Sequence, residues 1–230
     1  MALLVVALAS TGCIHVSRHV ALKEFNSAIS GEGNSPLRGH TVCVKGFVSA
    51  FDIHNPLPAV NVSEPPGFHY VPMTDAEKRL WHAEAMKQEK TTARESWPAV
   101  GVLRNGFGKV LGDVYALNDP GEWLTDALKA DLQKLGARVV DESQEADADV
   151  TVGGTITYLK IDIYMKYWVD LVVDAQMKTP GKAVTTQAVH THVDQVAWVG
   201  TSFEFYQALR ECEQKFSRVM ISDLEQKIKP

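Results

Sequence analysis

Cysteine is scarce in this chain: three occur among 230 residues, none in a Cys-x-x-Cys pair and none spaced with histidine as a zinc site requires. That excludes the zinc-ribbon and thioredoxin-like classes. Dense basic runs are absent as well. Lysine and arginine number 23 against 28 acidic residues, a net charge of −5, so nothing tracks a phosphate backbone and nucleic acid is excluded as a partner. No apolar stretch approaches the roughly 18 to 20 residues that a bilayer-spanning helix needs. Catalytic signatures are missing too. There is no Gly-x-Ser-x-Gly elbow, and Arg104-Asn-Gly-Phe-Gly-Lys109 lacks both the Walker ending and the full Gly-x-Gly-x-x-Gly pattern. It stands ten residues before the next helix cap and reads as a turn. Glu145, Asp147 and Asp149 lack the spacing of a calcium loop. No enzyme, no catalytic residue and no cofactor is implied.

The longest apolar-rich run lies at the N-terminus, where Ala2 to Ala9 leads through Ser10, Thr11 and Gly12 to Cys13. This resembles a bacterial lipoprotein signal, in which a peptidase cuts before a cysteine preceded by small residues and the thiol receives diacylglycerol. Thr11, Gly12 and Cys13 match. Ser10 stands where that family usually has Leu, and no Lys or Arg precedes the apolar segment. Ile14 occupies the position where inner-membrane retention calls for Asp. The resemblance therefore implies lipid attachment at Cys13 and an outer-membrane protein facing the periplasm, with the membrane as partner through the anchor. Cys43 and Cys212 then remain as an even pair in a compartment that permits disulfides. A bridge and two buried free thiols are both open.

The expected organisation is a signal over 1–13, a tether over 14–38 with room for a short helix from Val16 to Ile29, and one domain over 39–230. That domain carries an inserted Pro-rich loop and helix at about 52–94. His40 to Phe51 suits a strand, ended by His54-Asn-Pro-Leu-Pro58 and Ser63-Glu-Pro-Pro-Gly67. Thr74-Asp-Ala-Glu77 is a capping box, opening a polar helix to about Thr92. Trp97 to Leu103 reads as a strand. Asp119-Pro-Gly-Glu122 opens an amphipathic helix that Gly136 closes, and a short strand from Ala137 to Asp141 follows. Three strands come next: Ala148 to Lys160, with a bulge at Gly153-Gly154; Ile161 to Met177, apolar at odd positions; and Ala183 to Val199 beyond the Thr179-Pro-Gly-Lys182 turn. Ser202 to Ile228 places Phe205, Leu209, Cys212, Phe216, Met220 and Leu224 on one helical face. The fold class is α+β: a two-layer sandwich, mostly antiparallel, with two amphipathic helices on one sheet face.

Val100-Gly-Val-Leu-Arg-Asn105, Trp123 to Gly136 followed by Val139, and Ala148-Asp-Val-Thr-Val152 carry a further resemblance. They are similar to stretches of the YajG-type bacterial lipoproteins, small envelope proteins with two helices on an antiparallel sheet. That resemblance covers Trp97 to the C-terminus and implies fold and location rather than activity. His190 and His192, with Asp194, share one strand face and form the best metal candidate, but no third fixed ligand is identifiable and a solvated face is the plainer reading. Tyr164 and Trp168 interrupt the polar face of the long strand, and Trp198 lies on its hairpin partner; they form either an interface or a floor for the insertion that carries Leu80 and Trp81. The expected function is that of a non-catalytic accessory or structural component of an envelope protein assembly. The alternative is a lipid- or small-hydrophobe-binding auxiliary subunit of envelope transport, which requires a cavity between the sheet and the last helix.

Overall fold

The computed structural model describes residues 18–22, 35–65, 67–70, 72–91, 98–105, 107–164, 166–196 and 202–228. They form an α+β domain of eight strands and three α-helices. β1 is Arg18–Val20 and β2 Thr41–Ser49; α1, Asp75–Thr91, is followed by β3, Ala99–Arg104, and β4, Val110–Ala116. α2 is Pro120–Lys134, β5 Arg138–Val140, β6 Val150–Ile163, β7 Lys166–Lys178, β8 Thr185–Val196 and α3 Ser202–Ile228.

The long β6 is the spine of the sheet. One edge pairs antiparallel with β7, which pairs antiparallel with β8. The other edge pairs parallel with β2 from Val150 to Ile156 and then with β3 from Ile161 to Ile163. β4 continues beyond β3 and β1 beyond β4, while β5 flanks β2. The domain is α+β as expected, with most residue pairs antiparallel, in the meander and the β3–β4 hairpin, but the sheet is mixed and curled rather than laid out as a simple two-layer sandwich. Arg18–Val20, within the stretch read as a tether, is a strand of the sheet, and Asn118 clamps its end by accepting the Leu22 amide at 2.8 Å and donating to the Leu22 carbonyl.

Local sequence accounts for the helices. Thr74 and Glu77 exchange the two bonds of a capping box: the Thr74 amide donates to Glu77 Oε2 at 2.7 Å and the Glu77 amide to Thr74 Oγ1 at 3.3 Å. Asp119 Oδ1 accepts the Gly121 amide at 2.8 Å at the start of α2, and Gly136 ends it at φ +84°. α2 lays Trp123, Leu124, Leu128 and Leu132 on the sheet, and α3 adds Leu209, Cys212, Phe216, Met220 and Leu224. The odd positions of β6 and β7, Ile161, Ile163, Tyr167, Val169, Leu171, Val173, Ala175 and Met177, belong to the same buried cluster. At about 1.5–3 kcal/mol for each large side chain buried, this face is the main source of stability. Cys212 lies in it on the buried face of α3, whereas Cys43 packs with Val140 and Ala148 in a separate small cluster; both thiols are free.

One boundary differs from that expected. Ile163 pairs with Tyr167, so the β6–β7 turn falls at Tyr164 rather than at Lys160; the expected irregularity at the glycines is a register shift against β2, where Lys45 and Gly46 oppose Gly153, and a second bulge of β6, against β7, lies between Ile156 and Tyr158. That bulge separates Tyr158 from the main core and sets it opposite Val172, buried on the other face.

Candidate functional site

The outer face of β6, β7 and β8, turned away from α3, holds most of the side chains with chemistry. At its centre Asp170 of β7 lies opposite His192 of β8. One of its oxygens, Oδ1, meets His190 Nε2 at 3.0 Å and His192 Nδ1 at 2.7 Å. The His190 side chain is only 4% exposed, because an extended piece of the Pro-rich insertion lies across it. Val62 forms a parallel bridge to His190, the Ser63 amide donates to the His190 carbonyl at 2.7 Å, and His190 Nδ1 is 3.0 Å from the Val60 carbonyl. Lys215 of α3 ties down the same strap by donating to Glu64 at 3.2 Å and to the His192 carbonyl at 3.0 Å.

Both ring nitrogens of His190 thus face acceptors. A neutral imidazole can donate to one of them and an imidazolium to both. The pair of histidines expected on one face is indeed brought together, but on a carboxylate of β7 rather than on Asp194, which pairs instead with Lys166 at 2.6 Å. Among the described residues no group of three or more His, Cys, Asp or Glu side chains is placed to hold a metal ion.

Trp168 is half-buried on this face, with the Lys166 ammonium 4.9 Å from its ring centre. Tyr164 occupies the β6–β7 turn, and a Cβ on Gly108 would stand 3.8 Å from its ring, so the β3–β4 turn lies against it. Trp198 and Cys13 lie outside the described residues. The helix of the insertion does not serve as the cover considered for the aromatic face: α1 lies against α3, with Trp81 beside Tyr206 and Glu77 bonded to Arg210, and Leu80 points to solvent. The strap is what covers this face, and it does so at His190.

The sequence reading passed over two features. Asp170 has nothing in its sequence context to single it out, and the β7–β8 register is what sets it between two histidines. Phe107 belongs to a turn, as its sequence context indicates, and is 96% exposed at the tip of the β3–β4 hairpin. A phenylalanine between two glycines in a tight turn has no core to enter, and that was the available signal.

At the other end of the outer face a groove of about 270 Å³ is floored by Gly153 and Gly154 and bordered by Lys45, Gln176 and Lys178. Glu145 bridges the two lysines, at 2.7 Å from Lys45 and 3.3 Å from Lys178, and they hold its carboxyl below the usual range. Glu142, 3.4 Å from Lys45, supplies a second carboxylate, so two acids balance the two lysines and leave no field for an anion.

No family model matches the chain, and no curated protein matches it. The crystal structure of protein XCC0632 from Xanthomonas campestris, described under the family DUF330, is similar in fold, with a TM-score of 0.51 and 10% identity over 91% of this chain and 95% of that one. A second crystal structure, of a protein described as uncharacterized, aligns at a TM-score of 0.45 and 9% identity, covering 93% of this chain and 100% of that one. At these identities the likeness is one of fold alone.

Proposed function

We propose that this chain is a lipoprotein anchored through Cys13 to the bacterial outer membrane, facing the periplasm, and that it works without catalysis as an accessory of an envelope protein assembly. The family reading that goes with it is the YajG-type lipoproteins. Trp168 carries the proposal. It is a large aromatic held half-exposed on a sheet face by a lysine that is itself fixed to Asp194, the kind of rigid anchor that interfaces use. The interior gives less support to the alternative of an enclosed hydrophobic ligand, since Ile161, Ile163 and the odd-numbered positions of β7 are packed into one cluster with α3.

The test has two parts. Intact mass and membrane fractionation of the protein made with its native upstream region should show a diacyl-sized increment and outer-membrane location, both lost in Cys13→Ala. A photo-crosslinking residue at position 168 should then give discrete adducts with envelope proteins in cells, while one at Lys182 in the β7–β8 turn should not. An unmodified soluble protein would refute the anchor, and identical adducts from both positions would refute the docking face.

A further inference from the structure

The end of the sheet at which β3 passes into β4 combines an exposed aromatic, a rigid turn and the direction from which the N-terminal chain arrives. We infer that the β3–β4 turn, led by Phe107, seats on the surface of the bilayer to which the chain is anchored and so fixes the domain's orientation. This rests on the reading of Cys13 as a lipid-attachment site.

The turn is built to present its side chain. Asn105 Oδ1 accepts the amides of Phe107 and Lys109, each at 3.0 Å, the Asn105 amide donates to the Lys109 carbonyl at 2.9 Å, and Gly108 closes the loop at φ +80°. Arg104 adds a bond to the Gly108 carbonyl at 3.1 Å. A turn backbone held by that many bonds presents Phe107 outward and has already met the loop-ordering cost that a loose segment would face on insertion. Its neighbours suit a headgroup layer: Lys109 is exposed beside it, Val110 follows at 46% exposure, and Val196 at the same end of β8 is 67% exposed. The carboxylates of adjoining strands are occupied. Asp162 pairs with Arg104, Asp194 with Lys166, and Asp113 accepts the Tyr115 hydroxyl.

The path of the chain selects the bilayer over a protein as occupant. β1 runs parallel to β4 with Arg18 opposite Val114, so the N-terminal end of β1 faces the Val110 end of the sheet, where the turn lies. Cys13 is five residues before Arg18, a reach of at most about 18 Å. A lipid on Cys13 therefore brings this end of the domain to the membrane. The β7–β8 turn lies at the opposite end of the same strands.

The experiment uses the lipidated full chain in vesicles of phosphatidylethanolamine and phosphatidylglycerol. A cysteine replaces Lys109 or, as the control at the far end, Lys182, and each carries an environment-sensitive nitrobenzoxadiazole; Cys43 and Cys212 are buried and do not compete for the label. Spin-labelled lipid should remove most of the emission at position 109 and leave position 182 unchanged. Phe107→Ser should restore the emission at 109 without altering the fold, because that side chain is free in solvent. Protein whose mass shows the lipid but whose label at 109 stays unquenched, or is quenched no more than the label at 182, would overturn the seating and leave the anchor standing. A mass without lipid would overturn the anchor, and the seating with it.

Discussion

Glu213 on α3 is fully buried, and only the Ser217 hydroxyl, 3.2 Å from Oε1, is bonded to it among the contacts described. Burial first, and then the Asp131 carboxylate of α2, push its acid group well above the usual carboxylate range, against the opposing influence of Ser217, Arg210 and Lys134. A carboxyl raised in this way holds its proton more tightly in the folded chain than in the unfolded one. Its contribution to stability is complete below the ordinary carboxylate pKa and drains away as pH rises toward the folded value. Glu213→Gln keeps the shape and removes the titration. The Tm of the variant should therefore gain on the wild type as pH is taken from about 4 to about 8, as followed by circular dichroism; a gap that narrows over that range would contradict the assignment. Such a group is not legible beforehand. Glu213 stands next to Cys212 on a helical stripe that the sequence marks clearly as apolar, and only the approach of α2 reveals the acid as enclosed.

Elements were legible where the signal was local. The capping box of α1 and the cap and stop of α2 each arise within a few residues, the stripe of α3 repeats within one continuous helix, and the structure has all three. The strands were harder for a specific reason. Ile163 and Tyr167 pair across the β6–β7 turn and both face the core, so odd-position alternation runs straight through the reversal and cannot mark it. β4 carries no clear sequence signal because Val110–Ala116 is short and mixed in composition, and its place in the sheet depends on β3, β1 and two register shifts. The placement of β3 makes its own prediction. A Cβ at Gly101 would stand 2.0 Å from the Ile161 carbonyl oxygen, so Gly101→Ala must force the two parallel strands apart. The expected loss is about 3 kcal/mol in a urea titration. A loss below about 0.5 kcal/mol would mean that β3 is not seated against β6 as described.

For the whole molecule, the curl of the sheet wraps α3 on one side and leaves the outer face partly open, and the strap over β8 decides how much of that face is available. Val60 to Ser63 is held by contacts to a single residue: the Val60 carbonyl to the His190 ring, the Ser63 amide to the His190 carbonyl within the Val62 bridge, and the His190 amide to Ser63 Oγ at 3.4 Å. Only the first of these uses the His190 side chain, and the same ring also meets Asp170. His190→Ala should therefore loosen the strap without unfolding the domain, since the core under α3 has no part in these contacts. Hydrogen exchange should quicken at the Ser63 amide and at the neighbouring loop, while amides of β6 and β7 keep their protection. The consequence for docking follows from position. The strap and Trp168 share one face, and a partner bound there would meet the strap at its margin, so the same variant should alter adduct formation from position 168. Faster exchange spread over β6 and β7 would instead make His190 part of the core. Unchanged exchange at Ser63 would show that the backbone bonds alone hold the strap, and that the buried histidine serves Asp170 rather than the insertion.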